Sequence, residues 1–440
     1  MPRRRSRRVP TDGIGRRQTG AEMGGWAIVA LVFVLYAVVA RRLDRLSITA
    51  PIVLVAAGTV LGMGFLDVLP ANVTTETIRL LTELTLALIL FADASTVPLR
   101  KAEDDAWLPL RLLAIGLPLT MALGAVMARL VFPSVSWSEA ALVAAILAPT
   151  DAALGIAVVT NPAVPDRIRR TLNIESGLND GIATPFVTVF LVIVVAGTAK
   201  EHWGLDAVAE LARGAGVGIA VGFLGGHLVR RAREAGWTTK VSDQLVVLSL
   251  AFLAYAAAVQ WSGNGFVAAF VAGLVFGTAS RGELAEATEL TDTVGLFSSF
   301  VVWVIFGAAF VGPVLRSGLH LRPILYAVLS LTVVRMLPVA VALVGTRLRP
   351  VTVAFMGWFG PRGLASVVFT LLAYDAFEGE LVANQLVEVA TWTILLSVVA
   401  HGLTSGPLAA AYGRRFADAP ADTPELATVT PSRIRRRSLL

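Results

Sequence analysis

Cysteine is absent from the 440 residues, which excludes disulfides, thiolate metal sites and cysteine nucleophiles. Histidine is scarce. His202, His227, His320 and His401 lie scattered near the ends of apolar segments with no ligand spacing, so no metal site and no cofactor is implied. Charge is thin as well: 15% of the residues are charged, 56% are hydrophobic, and mean hydropathy is +0.73. That balance lies beyond the apolar share of soluble domains and argues against a soluble globule. Nor is there an internal linker long enough to hold a separate soluble domain.

What is there is a series of apolar stretches, each of the roughly 17 to 25 residues that cross about 30 Å of hydrocarbon. Thirteen are read, at 24–41, 47–66, 79–98, 107–132, 137–160, 172–197, 206–230, 241–261, 264–280, 290–312, 322–346, 350–374 and 384–412. The expected architecture is an all-α polytopic membrane protein. Residues 1–22 read as a basic, disordered N-terminal tail, 23–415 as one transmembrane domain, and 416–440 as a short C-terminal tail.

Short loops on the cytoplasmic side of a membrane carry an excess of Lys and Arg. Alternate loops sort accordingly. One set holds fifteen basic residues, among them Arg41, Arg42, Arg45, Arg167, Arg169, Arg170, Arg347 and Arg349; the other holds only Arg79, Lys200, Arg316 and Arg322. The rule places the first set inside, with the C-terminus cytoplasmic and the start of the first span outside. The arginines of residues 1–22 then lie on the wrong side. A signal-like segment, a missed span or a start at Met23 would each account for them, and the start at Met23 fits best. Without residues 1–22 the chain holds 30 basic and 29 acidic residues, so the net charge of +6 comes mostly from that tail. Membrane topology explains the basic residues, and no nucleic-acid partner is inferred. Arg433 to Arg437 suit anionic headgroups of the lipid bilayer.

Two breaks fall at corresponding places. The fifth span is interrupted by Pro149 beside Thr150 and Asp151, the twelfth by Gly360, Pro361, Arg362 and Gly363. If spans 1–6 and 8–13 are related halves, each break lies in the fifth span of its half. Matched proline- or glycine-interrupted spans point to a transporter's binding site, because unwound backbone at membrane depth is tolerated where it lines a cavity. The plainer alternative is two proline kinks.

The sixth span carries Glu175-Ser-Gly-Leu-Asn-Asp180. At helical spacing Ser176 and Asp180 share one face, and Glu175 and Asn179 the adjacent one. A carboxylate at membrane depth costs several kcal/mol and marks an ion or substrate path. Ser176 and Asp180 could therefore face a cation together with Asp151, since hard oxygen ligands suit a hard or alkali cation. Glu175 needs a buried partner. Arg335, the one basic residue in the middle of the eleventh span, is the best donor, with Arg362 as competitor. Asp93, late in the third span, reads either as a further ligand or as a cap near the membrane edge.

The segments APTDAALG, ESGLNDG and GNGFVAAFVAGLVFG, then Arg335 and WFGPRGLAS, in that order and spacing, resemble the sodium/proton exchanger family of cation:proton antiporters in its prokaryotic NhaP-like branch. The resemblance implies a homodimer. Each protomer would have thirteen helices in two inverted six-helix repeats, with crossed discontinuous helices 5 and 12 and a core domain moving against a dimerisation domain. Carried over by position, Asp180 and Asn179 are the ion-binding pair, Thr150 and Asp151 lie on the broken helix, Ser176 coordinates, and Glu175 with Arg335 forms a structural ion pair. Asp93 stands where relatives often have glutamate. The implied activity is exchange of Na⁺ (or K⁺ or Li⁺) for H⁺ at the cell membrane, in support of pH homeostasis. Asparagine at 179 points to electroneutral one-for-one exchange. Two readings from other classes are a cation channel and an intramembrane aspartyl protease using Asp151 and Asp180.

Overall fold

The computed structural model describes residues 12–62, 66, 68–69, 76–96, 107–196, 203–280, 286–377, 381–420 and 422–426. Among these there are helices, turns and connecting segments and no strand. Several positions considered above, including Lys200, His202 and residues 1–11 and 427–440, lie outside the described residues, as do Arg100, Lys101 and Arg281 of the more basic set of loops.

The helices in chain order are α1 (Asp12–Arg45), α2 (Ala50–Leu61), α3 (Glu76–Ser95), α4 (Trp107–Val131), α5 (Trp137–Leu147), α6 (Ile156–Thr160), α7 (Asp166–Ala196), α8 (Trp203–Glu234), α9 (Lys240–Gln260), α10 (Gly265–Ala279), α11 (Glu289–Ser317), α12 (Leu321–Ala342), α13 (Pro350–Trp358), α14 (Leu364–Ala376) and α15 (Leu381–Arg414). α1 begins at Asp12, so the second half of the stretch 1–22, read from sequence as disordered, is helical. Eight helices among the described residues are long and apolar enough to cross a membrane. Leu31, Val34, Leu35 and Val38 of α1 and Leu205, Leu224 and Leu228 of α8 point outward, an exposed apolar surface suited to lipid. The chain is an all-helical, multi-span membrane protein.

Local chemistry sets the helix ends. Ser136 caps α5 reciprocally with Glu139: the Glu139 amide donates to Ser136 Oγ (3.2 Å) and the Ser136 amide to Glu139 Oε2 (2.6 Å). Asn264 Oδ1 accepts from the Val267 amide (3.0 Å) at the start of α10, and Pro350 opens α13, where no amide is needed. α12 is interrupted once, at Thr332, whose φ of −109° and ψ of −91° leave the helical region.

Packing sorts the helices into two bundles. In one, α3 lies on α10 and α11, α8 on α9 and α10, and α2 on α11; in the other, α4 packs on α5 and α12, α5 on α7, and α15 on α12 and α14. α7 touches both. The breaks after α5 and between α13 and α14 belong to the second bundle and face each other inside it.

Candidate ion-binding site

α5 stops at Leu147, and the chain is unwound through Pro149 to Asp151 before one 3₁₀ turn, Ala152–Gly155, leads into α6. Phe359 to Gly363 are likewise unwound between α13 and α14. The two unwound segments meet directly. The Asp151 amide donates to the Pro361 carbonyl at 2.8 Å, and the Leu364 amide, at the start of α14, donates to Asp151 Oδ2 at 3.4 Å. A carboxylate there is favoured by the positive end of the half-helix. In the opposite sense, Arg362 Nη1 donates to the Ala148 carbonyl (2.9 Å), where α5 ends, and Nη2 to the Ser330 carbonyl (3.3 Å), beside the interruption of α12. A guanidinium thus sits against the negative end of one half-helix and a carboxylate against the positive end of the other.

Glycine at two linker positions makes this fit. A Cβ on Gly363 would collide with the Asp151 side chain, and one on Gly360 with the Arg335 guanidinium, its Cζ lying 2.9 Å away. Ser397, on α15, steadies the linker by accepting from the Arg362 amide at 2.6 Å.

α7 closes the site from the side. Asp180 lies near the middle of its 31 residues and is 8% exposed. Ser176, four residues earlier on the same face, donates to the Thr150 carbonyl (2.9 Å) and accepts from the Ala152 amide (2.6 Å), so its hydroxyl laces the break shut. Asn179 Nδ2 donates to Thr150 Oγ1 at 2.6 Å, while its Oδ1 has no hydrogen-bond partner among the described residues. Asn179, Asp180 and Thr150 are buried, and Asp151 is half-buried. Asp93 approaches from α3 in the first bundle: a Cβ on Gly177 would lie 3.7 Å from its Cβ.

Glu175 Oε1 pairs with Arg335 Nη1 at 2.7 Å, with both side chains almost wholly buried. The competing acceptors of Arg362 are carbonyls, as described above. All the candidate residues therefore sit on or beside one crossing, formed by α5–α6, α13–α14, α7 and α12, with Asp93 reaching it from α3. The oxygens gathered there are carboxylate, amide, hydroxyl and carbonyl, the donor set of a hard cation. No group of three or more His, Asp or Glu suited to a resident metal occurs among the described residues.

Ser397 and His401 carry no sequence signal for their place here. His401 Nδ1 lies 2.9 Å from the Ser397 carbonyl and its ring 4.9 Å from that of Trp358. Helical spacing of four relates the two; only the fold brings them to the linker.

The sequence profile described as "Sodium/hydrogen exchanger, transmembrane" matches residues 28–411. The chain belongs to this family. Within it, the chain is NhaP-like. The K⁺/H⁺ antiporter NhaP of Alkalimonas amylolytica is 27% identical over 278 residues, covering 62% of this chain and 47% of that protein. The low-affinity Na⁺/H⁺ antiporter NhaS1 of a Synechocystis strain is 25% identical over 407 residues, 85% of this chain and 73% of its own length. The chain spans about half the length of the curated K⁺/H⁺ relatives it matches. Among solved structures, the sodium proton antiporter MjNhaP1 of Methanocaldococcus jannaschii at pH 8 superposes with a TM-score of 0.74 at 21% identity, covering 89% of this chain and 99% of that one. These relatives of the family member are named as transporters, not enzymes.

Proposed function

We propose that this family member exchanges a monovalent cation for H⁺ across the cell membrane, with cation and proton competing for Asp180. The observation that carries the reading is a buried carboxylate in mid-helix, flanked by Ser176 and Asn179, which are both hydrogen-bonded to the unwound Thr150 segment. Asp180, Asp151, Thr150, Ser176 and Asn179 supply the cation's oxygens, with Asp93 contributing from α3. Glu175 and Arg335 hold the helices that carry them.

Exchange follows from the competition. A buried carboxylate can be neutralised by a proton or by a dehydrated cation but not by both at once, so the two compete for it. Either guest neutralises the site. An empty site would carry a bare carboxylate through the barrier, at roughly 3 kcal/mol for an acid at membrane depth. Only loaded forms cross readily, and each passage of cation is matched by a return passage of proton. With an amide at 179 the site holds one titratable group fewer, which supports electroneutral one-for-one exchange. The cation is Na⁺ in this reading; the relatives include both K⁺/H⁺ and Na⁺/H⁺ antiporters, so K⁺ and Li⁺ belong in the test.

Alternating access arises from the bundle that holds the crossing moving against the other, as in carriers built from inverted repeats. The protomer is read as thirteen spans in two such repeats, the first bundle as the scaffold of a homodimer, and the arginine-rich loops as cytoplasmic. The purified protein in proteoliposomes with a luminal pH dye tests the function: Na⁺, K⁺ or Li⁺ added outside should turn the lumen alkaline. No pH response to any of the three would overturn it.

A further inference from the structure

The half-helix α14 carries the crossing at one end and a contact with the other bundle at its far end. Leu364 meets Asp151 at the break. From its middle to its far end, about 7 to 17 Å along the axis from Leu364 at 1.5 Å per residue, the same helix lies against three helices of the first bundle. Phe369 meets Phe266 of α10 edge-on, ring centroids 6.4 Å apart; Tyr374 meets Phe310 of α11 in the same manner at 5.9 Å; and Asp375 Oδ2 accepts from Arg79 Nη1 of α3 at 2.8 Å. Arg79 is held in place for this bond. Its Nε donates to Glu83 Oε1 (2.9 Å), and Glu83 Oε2 accepts from the Tyr255 hydroxyl of α9 (2.5 Å). A parallel tie joins α7 to the first bundle, where Asn264 Nδ2 donates to Thr188 Oγ1 at 3.0 Å and to Glu210 Oε1 at 3.1 Å. Thr188 and Glu210 lie toward the ends of α7 and α8 remote from Arg167 and Arg230, and Asp375 toward the end of α13–α14 remote from Arg347 and Arg349, which defines the face meant here.

We propose that this layer is a gate on that face, closed in this structure, and that Arg79 and Asp375 are its latch. The inference rests on the alternating-access reading. If the crossing-bearing bundle moves against the other, α14 cannot open a path to Asp151 and Asp180 from this side without parting Phe369 from Phe266, Tyr374 from Phe310 and Asp375 from Arg79. The chemistry suits a reversible contact. The aromatic layer excludes water, while the ion pair, with side chains 50% and 27% exposed, belongs to the weak class that forms and breaks readily.

The absence of cysteine allows a clean test. Thr82, one turn from Arg79 on the same face of α3, is 1% exposed, and Thr82→Cys places a single thiol behind the latch. In the purified full-length protein a polar maleimide should label this thiol slowly, and adding Asp375→Asn should speed labelling roughly fivefold, about the most that an exposed pair supplies. Unchanged labelling with an unchanged unfolding midpoint overturns the latch. Should Asp375→Asn lower that midpoint, a second arm decides: Arg79→Cys with Asp375→Cys, joined by a short reducible bifunctional thiol reagent, should stop exchange and recover it on reduction. Exchange at the unlinked rate in fully cross-linked protein overturns the gate. Labelling needs no transport, so failure of the gate is distinct from failure of the exchange reading, which the unmodified protein in proteoliposomes reports.

Discussion

At the scale of single residues, the site depends on how few buried charges it holds and on what each touches. Glu175 and Arg335 face each other at 2.7 Å with almost no exposure. Removing one partner of such a pair leaves an uncompensated charge, at a cost of about 3–5 kcal/mol. Arg335→Ala should therefore lower the thermal unfolding midpoint and the yield of folded protein, and replacing both residues by apolar ones of similar volume should recover much of the loss. An unchanged midpoint in Arg335→Ala would contradict a structural role. This pair was legible in the sequence because Arg335 stands alone in an apolar segment and Glu175 needs a counter-charge. The face shared by Ser176 and Asp180 was legible from helical spacing. The partners of Arg362 were not: its acceptors are the carbonyls of Ala148 and Ser330, and which carbonyls a helix leaves unpaired depends on where it stops in three dimensions.

At the scale of elements, Pro149 and the Gly360–Gly363 linker announced both interruptions, since proline removes a donor and glycine permits close approach. How the two segments join was hidden, because the bond from the Asp151 amide to the Pro361 carbonyl pairs residues 210 positions apart. Gly363 has an ordinary extended backbone, and its requirement is space: a Cβ would strike Asp151. Gly363→Ala should reduce exchange at least tenfold, the scale of a misplaced binding group, while the protein remains folded by its unfolding transition. Parental flux would contradict the close approach.

In the sequence, residues 416–440 read as a short C-terminal tail. Glu425 is instead fully buried. Its Oε1 accepts from the Arg349 amide (2.8 Å) and the Thr352 hydroxyl (2.7 Å) at the start of α13, and Arg167 Nη1, near the start of α7, donates to the Pro424 carbonyl (2.6 Å). Glu425→Ala strips the Arg349 amide and the Thr352 hydroxyl of their acceptor and should destabilise the fold by about 1–3 kcal/mol, seen as a lower unfolding midpoint. No change would mean that the tail does not staple α13 to α7.

At the scale of the whole molecule, composition and apolar length gave the membrane class, and the order of four short segments and Arg335 gave the family; which helices pack into which of the two bundles came only from the structure. The sequence assigns no role to Glu83 or Asp375, because nothing in a linear reading indicates that α3 and α14 meet. Electroneutral exchange carries a consequence here. Clamping the membrane voltage with an ionophore should leave the rate of cation-driven proton movement unchanged, whereas a stoichiometry other than one-for-one makes it voltage-dependent.

Competition at Asp180 is tested most directly by proton release. Adding Na⁺, K⁺ or Li⁺ to purified protein in weakly buffered solution, over a series of starting pH values, should release protons for the cation that binds. Asp180→Asn should free none. Cation binding without proton release, or equal release from Asp180→Asn, would contradict the account.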